Sequence, residues 1–292
     1  MKKASDLTFY QIVLEESLRK PVKVLDIKVK SGGCISHAAE IVTSEGRFFM
    51  KWLQASGPSM YATEWRDLSH LYGKSSLKIP QPLYQGETQG QYYFVMEALD
   101  VVTDTSAYWE HLGFGLAELH RNTAPEHGLN YNNFIGRLPQ RNNTYASWHT
   151  FFVEERLNVQ LEMALERRLV DIGFAKKFTQ IYQKIPELLP ALPPSLLHGD
   201  LWSGNILATK GDIAALIDPA VYYGSREIEL AFTYLFGGFD DRFYSSYHEA
   251  FPLPSGFRSR VDIYNLYPLM VHVNIFGVSY LKAVQDTINR YQ

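Results

Sequence analysis

The chain of 292 residues contains a single cysteine, Cys34, and so cannot form a disulfide within itself. This shortage fits a reducing compartment and predicts a cytoplasmic protein. No run of about 18 apolar residues occurs, so the sequence predicts no membrane span. The first 20 residues mix Asp6, Glu15 and Glu16 into their apolar positions, which predicts an amphipathic helix and argues against a signal peptide.

An excess of positive charge is also missing. There are 28 Lys and Arg against 31 Asp and Glu, the formal net charge is -3, and no basic run occurs. The electrostatic footprint of a nucleic-acid-binding protein is therefore absent, and we expect neither nucleic acid nor a membrane as partner. With 46% hydrophobic residues, the composition is that of a globular protein with a large core.

Strand signals dominate the chain before residue 100. β-branched and aromatic residues cluster or alternate in three segments, PVKVLDIKVK, HAAEIVTSEGRFFMKW and QYYFVMEAL. Glu45-Gly46 predicts a hairpin turn inside the second segment. Between the second and third segments, apolar residues recur at helical spacing in MYATEWRDLSHL and Gly73 follows, which predicts one inserted helix with a glycine stop.

Helical patterns dominate the rest of the chain. TDTSAYWEHLGFGLAELHRN carries an apolar stripe with Thr103 or Asp104 as its N-terminal cap, and a long helix is predicted from about 145 to 170. The change in character predicts an α+β chain of two lobes. Residues 1–98 would form a β-rich lobe with one inserted helix, and residues 99–292 a larger, mainly helical lobe.

Three polar residues stand out in LLHGDLWSGNILATKGDIAALIDPA, where Asp200, Asn205 and Asp218 follow short apolar runs that predict buried strands. A hairpin turning at 210–212 would bring them together. Asx turns are an alternative explanation for such residues. However, the order H-x-D-x-x-x-x-N with a later Asp matches the catalytic loop of kinases, in which one carboxylate and one amide bind Mg²⁺ while the other aspartate accepts a proton. His198 would brace this loop.

A kinase lobe also requires a glycine-rich loop, a strand lysine, a helix glutamate and an apolar hinge, in that order. KSGGCISHA supplies Gly32 and Gly33, FFMKW supplies Lys51, the inserted helix supplies Glu64, and FVMEAL supplies the hinge. Taken singly, the glycine pair is a weak signal and the lysine is typical of a solvated strand. Together they supply backbone amides and an ammonium for the phosphates, and a carboxylate that holds the ammonium.

Long segments of the chain resemble the fructosamine kinase (ketosamine-3-kinase) family. They are LLHGDLWSGN, IDPAVYYGSREIELAFTYLFGGF, FVMEAL, LAELH and FIGRLPQRNNTYASWHTFFVEERLNVQLEMA. The resemblance implies a bilobal protein-kinase-like fold and transfer of the ATP γ-phosphate to the 3-hydroxyl of a ketosamine, the sugar adduct that glycation leaves on an amine or protein lysine. Because the phosphorylated adduct is unstable, such an enzyme would repair glycated protein. Fructosamine, ribulosamine and erythrulosamine adducts all fit.

Carried over residue by residue, the resemblance implies that Asp200 is the base and that Asn205 and Asp218 bind Mg²⁺. Lys51 and Glu64 would orient the ATP phosphates. The other implied ATP contacts are Gly32, Gly33, Met96, Glu97, Ala98 and Leu99. Pro-Ala follows Asp218 where protein kinases have Phe-Gly, which argues against an activation-loop switch.

Candidates for the sugar side are Trp202, Trp148 and Arg156, because a ketosamine presents hydroxyls and an apolar stem that an aromatic ring can cover. The alternatives are core packing for Trp148 and a surface ion pair for Arg156. His272 and Asn274 form a polar pair in the apolar segment MVHVNIFG, which is more typical of hydrogen-bonded core groups than of substrate ligands.

Two other functions compete with this prediction. A kinase for another small molecule, such as an aminoglycoside or an amino alcohol, would need a strongly acidic pocket for polycationic substrates. A pseudokinase would lack Lys51, Asp200 or Asp218, and none of these is missing. We expect a monomer, with a redox-dependent dimer through Cys34 as a further hypothesis, because this residue follows the glycine pair. The alternative for Cys34 is a small apolar residue.

Overall fold

A computed structural model of the chain describes residues 4–30, 37–54 and 60–291. Gly32, Gly33 and Cys34 lie outside these residues, so the roles assigned to them stay predictions. In the part of the chain that the structure describes, no helix is both long and apolar enough to cross a membrane.

The first part of the fold is one antiparallel sheet with two helices. Its elements are α1 (Ala4–Leu18), β1 (Val24–Lys30), β2 (His37–Thr43), β3 (Gly46–Gln54), α2 (Met60–Leu71), β4 (Pro82–Thr88) and β5 (Gln91–Glu97). The strand order is β1-β2-β3-β5-β4. The predicted hairpin between β2 and β3 is confirmed, and Gly46 adopts a φ of +128° that glycine accommodates. The sequence pattern did not predict β4.

Helix α2 confirms the predicted inserted helix, and the glycine after it, Gly73, has a φ of +72°. Its buried side chains Tyr61, Leu68 and Leu71 belong to the main hydrophobic core, which also contains Phe94 of β5. A second, smaller core lies between α1 and the other side of the sheet. Helix α2 therefore joins the sheet to the helical part of the molecule.

Helices dominate the second part of the fold. Its elements are α3 (Ser106–His120), β6 (Asn133–Ile135), β7 (Leu138–Gln140), α4 (Trp148–Phe151), α5 (Asn158–Glu166), α6 (Ile172–Gln180), α7 (Ile185–Leu188), β8 (Ser195–Leu197), β9 (Ile206–Thr209), β10 (Ile213–Leu216), β11 (Tyr222–Gly224), α8 (Arg226–Leu235), α9 (Asp241–Ala250), α10 (Phe257–Tyr264), α11 (Leu266–Phe276) and α12 (Leu281–Arg290). The short strands form three antiparallel pairs, β6 with β7, β8 with β11, and β9 with β10.

The predicted N-terminal cap of α3 is wrong, because it lies one or two residues before the observed cap. Thr105, not Thr103 or Asp104, has extended backbone angles, and its Oγ1 accepts a hydrogen bond from the Tyr108 N–H at 3.1 Å. The Asp104 carboxylate instead accepts a hydrogen bond from the Trp109 indole N–H at 3.0 Å. A local contact with a residue five positions later thus occupies the acidic side chain, and Thr105 provides the cap.

The long helix predicted from about 145 to 170 is shorter and contains a π-helical segment. It starts after Ser147, whose Oγ accepts a hydrogen bond from the Thr150 N–H, and α5 ends at Glu166. Residues Phe152–Leu157, between α4 and α5, are π-helical. A π turn widens the helix locally and changes which side chains face the core, so apolar spacing alone does not predict their surroundings.

Candidate active site

The loop that carries Asp200 follows β8. Gly199 has a φ of +84°, and a Cβ there would lie 1.9 Å from the carbonyl oxygen of Ala220, so only glycine fits. The buried His198 donates from Nε2 to the carbonyl oxygen of Ile217 at 2.9 Å, and its Nδ1 accepts from the Asp200 N–H at 3.3 Å. These bonds confirm the predicted bracing role of His198.

Asp200 and Asn205 are directly hydrogen-bonded. The Asn205 amide donates from Nδ2 to the Asp200 Oδ2 at 3.0 Å and to the Asp200 carbonyl oxygen at 2.9 Å. Because both bonds use the amide nitrogen, the Asn205 Oδ1 is left as an acceptor. Burial raises the pKa of Asp200 to about 7; the Asn205 hydrogen bond opposes this rise, and the negative charges of Asp218 and Glu229 add to it.

Asp218 follows β10, at the end of the hairpin whose turn at 210–212 was predicted and is confirmed. The Ile217 N–H donates to the carbonyl oxygen of Asn205 at 3.0 Å, so the two loops are joined through their backbones. Asp218 has a φ of +53°. This left-handed conformation is uncommon for a residue other than glycine and concentrates at functional sites.

Lys51 on β3 lies between two carboxylates. Its Nζ is 2.6 Å from the Glu64 Oε1 on α2 and 2.6 Å from the Asp218 Oδ1. Burial by itself lowers the pKa of Lys51, but the two carboxylates outweigh burial and hold that pKa above its usual value. The side chain therefore stays an ammonium. Since an ammonium has three N–H donors, one remains for another acceptor.

An open cavity of about 690 Å³ lies at these groups. The structure brings together around it five predicted residues, Lys51, Glu64, Asp200, Asn205 and Asp218. The other wall of the cavity is mainly aromatic and comes from the C-terminal part of the chain.

This aromatic wall consists of Trp202, Phe236, His272, Phe276 and Tyr280. The His272 ring lies at centroid distances of 4.8 Å from Phe236, 5.4 Å from Phe276 and 5.0 Å from Tyr280. Trp202 is 40% exposed, and its ring packs so closely over Gly204 that a Cβ there would come within 2.2 Å. Trp202 was predicted to contact the substrate; it lines the cavity, and its contact with a substrate stays a prediction.

Sequence reasoning missed three members of this wall, Phe236, Phe276 and Tyr280, and favoured a core position for His272. One sequence signal was available. Gly237-Gly238 directly follow Phe236 and Gly277 directly follows Phe276, which is typical of helix ends that leave an aromatic ring exposed. Asn274 is a core residue, as favoured, because it donates to the Gln160 carbonyl and side-chain oxygens at 2.9 Å.

The structure does not bring Trp148 and Arg156 to the cavity. Trp148 is 2% exposed and packs in the core, which was its alternative prediction. Arg156 is fully buried, so the alternative of a surface ion pair is also wrong. Its guanidinium lies 4.0 Å from the centre of the Tyr222 ring and donates to the Asn142 Oδ1 at 2.8 Å.

The predicted hinge residues lie at the end of β5. Met96 and Glu97 are its last two residues, and Ala98 and Leu99 follow it. The Glu97 Oε1 forms an ion pair with the Lys78 Nζ at 2.7 Å. None of the four is among the described residues that line the cavity, so their predicted contact with adenine stays a prediction.

The fold and the charges at the cavity define a phosphotransferase with a protein-kinase-like fold. The solved structure of the aminoglycoside phosphotransferase APH(4)-Ia has this fold, with a TM-score of 0.66 and 16% identity, covering 97% of this chain and 98% of that one. The family model described as fructosamine kinase matches residues 8–292, and the chain belongs to that family. It is therefore a kinase.

Individual relatives agree with this assignment. A Synechocystis protein named "Probable ketoamine kinase" is 34% identical, over 95% of this chain and 94% of its own length. The chloroplastic protein-ribulosamine 3-kinase of Arabidopsis thaliana is 34% identical, over 93% of this chain and 84% of its own length. A crystal structure from Thermobifida fusca, provisionally assigned as a fructosamine-3-kinase, has a TM-score of 0.86 and 29% identity and covers 96% of both chains. The predicted fold class, family and enzyme class are confirmed.

Proposed function

We propose that the protein transfers the γ-phosphoryl group of ATP to the 3-hydroxyl of a ketosamine. The observation that carries this proposal is that the predicted base, Asp200, shares one cavity with the Lys51–Glu64 pair and with an aromatic wall. Membership of the fructosamine kinase family supports it, as do relatives named for ketoamine and ribulosamine kinases. Because a 3-phosphorylated ketosamine is unstable, the activity would remove sugar adducts from amines or protein lysines.

The residues present fit a magnesium ion bound together with nucleotide phosphates. Asp218 offers a carboxylate and Asn205 an amide oxygen that makes no hydrogen bond within the described residues. No group of three or more His, Cys, Asp or Glu side chains in the described ranges is arranged to hold a metal ion. One carboxylate and one amide oxygen are a typical donor set for Mg²⁺, because nucleotide phosphates and water molecules complete its coordination shell. When bound, Mg²⁺ would offset negative charge on the phosphate oxygens.

The rest of the nucleotide site would combine both parts of the fold. The remaining N–H of the Lys51 ammonium would donate to a phosphate oxygen while Glu64 keeps the ammonium in place. Gly32 and Gly33 would cover the phosphates, and backbone groups of Met96–Leu99 would hold adenine. ATP would then bind between a lobe of residues 1–98 and a lobe of residues 99–292.

Asp200 would accept the proton in the transfer step. The sugar oxygen forms a bond to the γ-phosphorus, the bond from that phosphorus to the leaving ADP oxygen breaks, and the hydroxyl proton moves to the Asp200 carboxylate. Burial raises the pKa of Asp200 to about 7, which makes it a stronger proton acceptor than an exposed aspartate. Asn205 would keep this carboxylate oriented through its hydrogen bond.

The aromatic wall supports a ketosamine as acceptor rather than an aminoglycoside. The carboxylates around the cavity are Glu64, Asp67, Asp200 and Asp218, which lie at the phosphate-transfer end. The part of the wall that Trp202, Phe236, His272, Phe276 and Tyr280 form carries no carboxylate among the described residues. A polycationic substrate would need such acidic groups, whereas a sugar and the alkyl stem of a lysine pack against rings.

The test is phosphate transfer to a panel of fructosamines, ribulosamines and erythrulosamines, both free and on a lysine peptide, with hygromycin B as a competing acceptor. We expect ADP release only with ketosamines, and phosphorus NMR should show a phosphate ester at the 3-position. Asp200→Asn should lower kcat by about 10²–10⁴-fold while ATP still binds. Transfer to hygromycin B alone, or full activity of Asp200→Asn, would overturn the proposal.

A further inference from the structure

A second buried carboxylate lies on α2 one turn after Glu64. Asp67 is 1% exposed, and residues three apart on a helix share a face. Its Oδ1 accepts from the Tyr131 hydroxyl at 2.8 Å, and its Oδ2 accepts from the Asn133 Nδ2 at 2.8 Å and from the Val221 N–H at 3.4 Å. All three donors come from the second part of the fold, so these bonds attach α2 to it.

Asp67 is the end of a buried chain of side-chain hydrogen bonds that starts at a buried cation. The Arg156 guanidinium donates to the Asn142 Oδ1 at 2.8 Å, and the Asn142 Nδ2 donates to the Asn133 Oδ1 at 2.9 Å. The Asn133 Nδ2 then donates to the Asp67 Oδ2. A guanidinium only donates and a carboxylate only accepts, so this is the one orientation of the two amides that satisfies every bond.

The aligned amides connect the Arg156 cation to the Asp67 carboxylate. Burial raises the pKa of Asp67 to about 7, and the hydrogen bonds from Tyr131 and Asn133 oppose this rise by favouring the charged form. Each charge would be costly to bury without partners, and two aligned amide dipoles stabilise both. This accounts for Arg156, which lies in the core without a directly bonded carboxylate among the described residues. It also accounts for Asp67 as a buried group on the face of α2 that carries Glu64.

The same network binds the backbone that follows Asp218. The Asn133 Nδ2 donates to the carbonyl oxygen of Val221 at 2.9 Å, and the Gln140 Nε2 donates to that of Ala220 at 3.0 Å. The Gln140 side chain also donates to the Asn133 Oδ1 and accepts from the Tyr267 hydroxyl. The hairpin of β6 and β7 therefore holds α2 and the Asp218 segment in one rigid arrangement.

We propose that Asp67 is a positioning residue that fixes α2 against the Asp218 segment, so that Glu64 holds Lys51 in its phosphate-binding position. The inference rests on the proposed function, because it needs the roles given to Lys51 and Glu64. It explains how a kinase with Pro219-Ala220 after Asp218 assembles the lysine–glutamate pair without a phosphorylated activation loop. The Lys51 Nζ and the Glu64 Oε1 lie 2.6 Å apart in this arrangement.

The first test is Asp67→Asn, which keeps the shape of the side chain but replaces one acceptor oxygen with a donor. We expect the Kd for Mg·ATP, measured by calorimetry on the full chain, to rise about ten-fold, with the KM for the ketosamine unchanged. Tyr131→Phe removes one bond to Asp67 and keeps the ring; it should shift the Kd in the same direction by less. That variant keeps the inference testable should Asp67→Asn fold poorly.

The matched control is Glu227→Gln. Glu227 is an equally buried carboxylate on α8, where it forms an ion pair with Arg260 at 2.6 Å, and it does not line the cavity. This variant should lower the melting temperature while the Kd for Mg·ATP stays within two-fold of wild type, which separates positioning from general loss of stability. A Kd that rises equally in Glu227→Gln and Asp67→Asn would overturn the inference.

A double-mutant cycle decides whether Asp67 acts through Glu64. If it does, Glu64→Gln alone and Glu64→Gln with Asp67→Asn should have nearly the same Kd for Mg·ATP. The Glu64 carboxylate is already absent from the single variant, so the loss of Asp67 can no longer change its position. Multiplicative effects would overturn the inference and leave the proposed function intact. If Glu64→Gln leaves the Kd unchanged, the role given to Glu64 in the proposed function falls together with the inference.

Discussion

At the scale of single residues, the position of Trp202 depends on the absence of a side chain two residues later. The ring lies over Gly204, and a Cβ at that position would be 2.2 Å from the ring. The indole is the free end of a side chain that is 40% exposed, so it can rotate away. A side chain added at residue 204 would therefore displace the Trp202 ring in the aromatic wall rather than disrupt the fold.

We predict that Gly204→Ala raises the KM for the ketosamine by roughly 2- to 10-fold, the value of one lost ring contact, while the KM for Mg·ATP changes little. Steady-state kinetics with each substrate varied in turn measures this. Trp202→Ala should give the same change, and the double variant should be no worse than Trp202→Ala. A KM for ATP that rises as much as the KM for the ketosamine would show that the loop around Asn205 has moved instead.

His127 is a buried histidine that should make the protein sensitive to acid. Burial lowers its pKa to about 4, and the nearby His149 adds to this shift. An unfolded histidine titrates near 6.5. Between pH 6.5 and 4 the unfolded chain therefore binds a proton that the folded chain does not, so the free energy of unfolding falls as the pH falls through this window.

We predict that His127→Phe is less sensitive to acid than wild type and retains roughly 1–3 kcal/mol more of its stability on going from pH 7 to pH 4. Part of the sensitivity will remain, because burial also lowers the pKa of His120 and His198. Urea unfolding at both pH values measures the difference. The exposed His248→Gln is the control, and an equal loss of stability in all three proteins would contradict the prediction.

At the scale of elements, helix α3 begins with a cap that has two functions. The Thr105 Oγ1 accepts from the Tyr108 N–H and donates to the Asp212 carboxylate in the turn between β9 and β10 at 2.6 Å. The cap therefore links the helix to the hairpin that leads to Asp218.

Thr105→Ala should lower the free energy of unfolding by about 1 kcal/mol, with some further loss from the bond to Asp212. Thr103→Ala removes a hydroxyl of the same kind from a neighbouring exposed position and should change stability by less than about 0.5 kcal/mol. Chemical denaturation of the two variants side by side is the measurement. Equal losses would mean that Thr105 does not act as the cap.

At the scale of the whole molecule, the proposed nucleotide site takes its groups from the sheet, from α2 and from the loops that follow β8 and β10. Binding would therefore stabilise the entire chain against unfolding. At 100 times its Kd, Mg·ATP should contribute about 2.7 kcal/mol, which raises the melting temperature by roughly 5 °C. EDTA should abolish most of this shift in wild type. Asp218→Asn should have little magnesium-dependent shift to lose, and a full shift in that variant would refute the assignment of Asp218.

The sequence by itself determined those features that depend on residues close together in the chain. The spacing between Asp200 and Asn205 and the hairpin before Asp218 could be recognised, because a short loop between two buried strands has few ways to place its polar groups. The order of lysine and glutamate also predicted the pair that the structure shows, whereas the roles of the glycine pair and the hinge stay predictions. The alternation and helical spacing of apolar residues likewise predicted the sheet, the inserted helix and the α+β class.

Only the tertiary structure decided which side chains from distant segments meet. Trp148 and Arg156 carry the same sequence signal as a substrate residue would, yet packing places them in the core, because an apolar stripe predicts burial but not the element that covers it. The aromatic wall brings together residues between 202 and 280. The series of hydrogen bonds from Arg156 to Asp67 likewise joins residues that lie far apart in the sequence. Such contacts arise from the packing of whole helices and strands against one another, and the spacing of residues within one segment does not predict that packing.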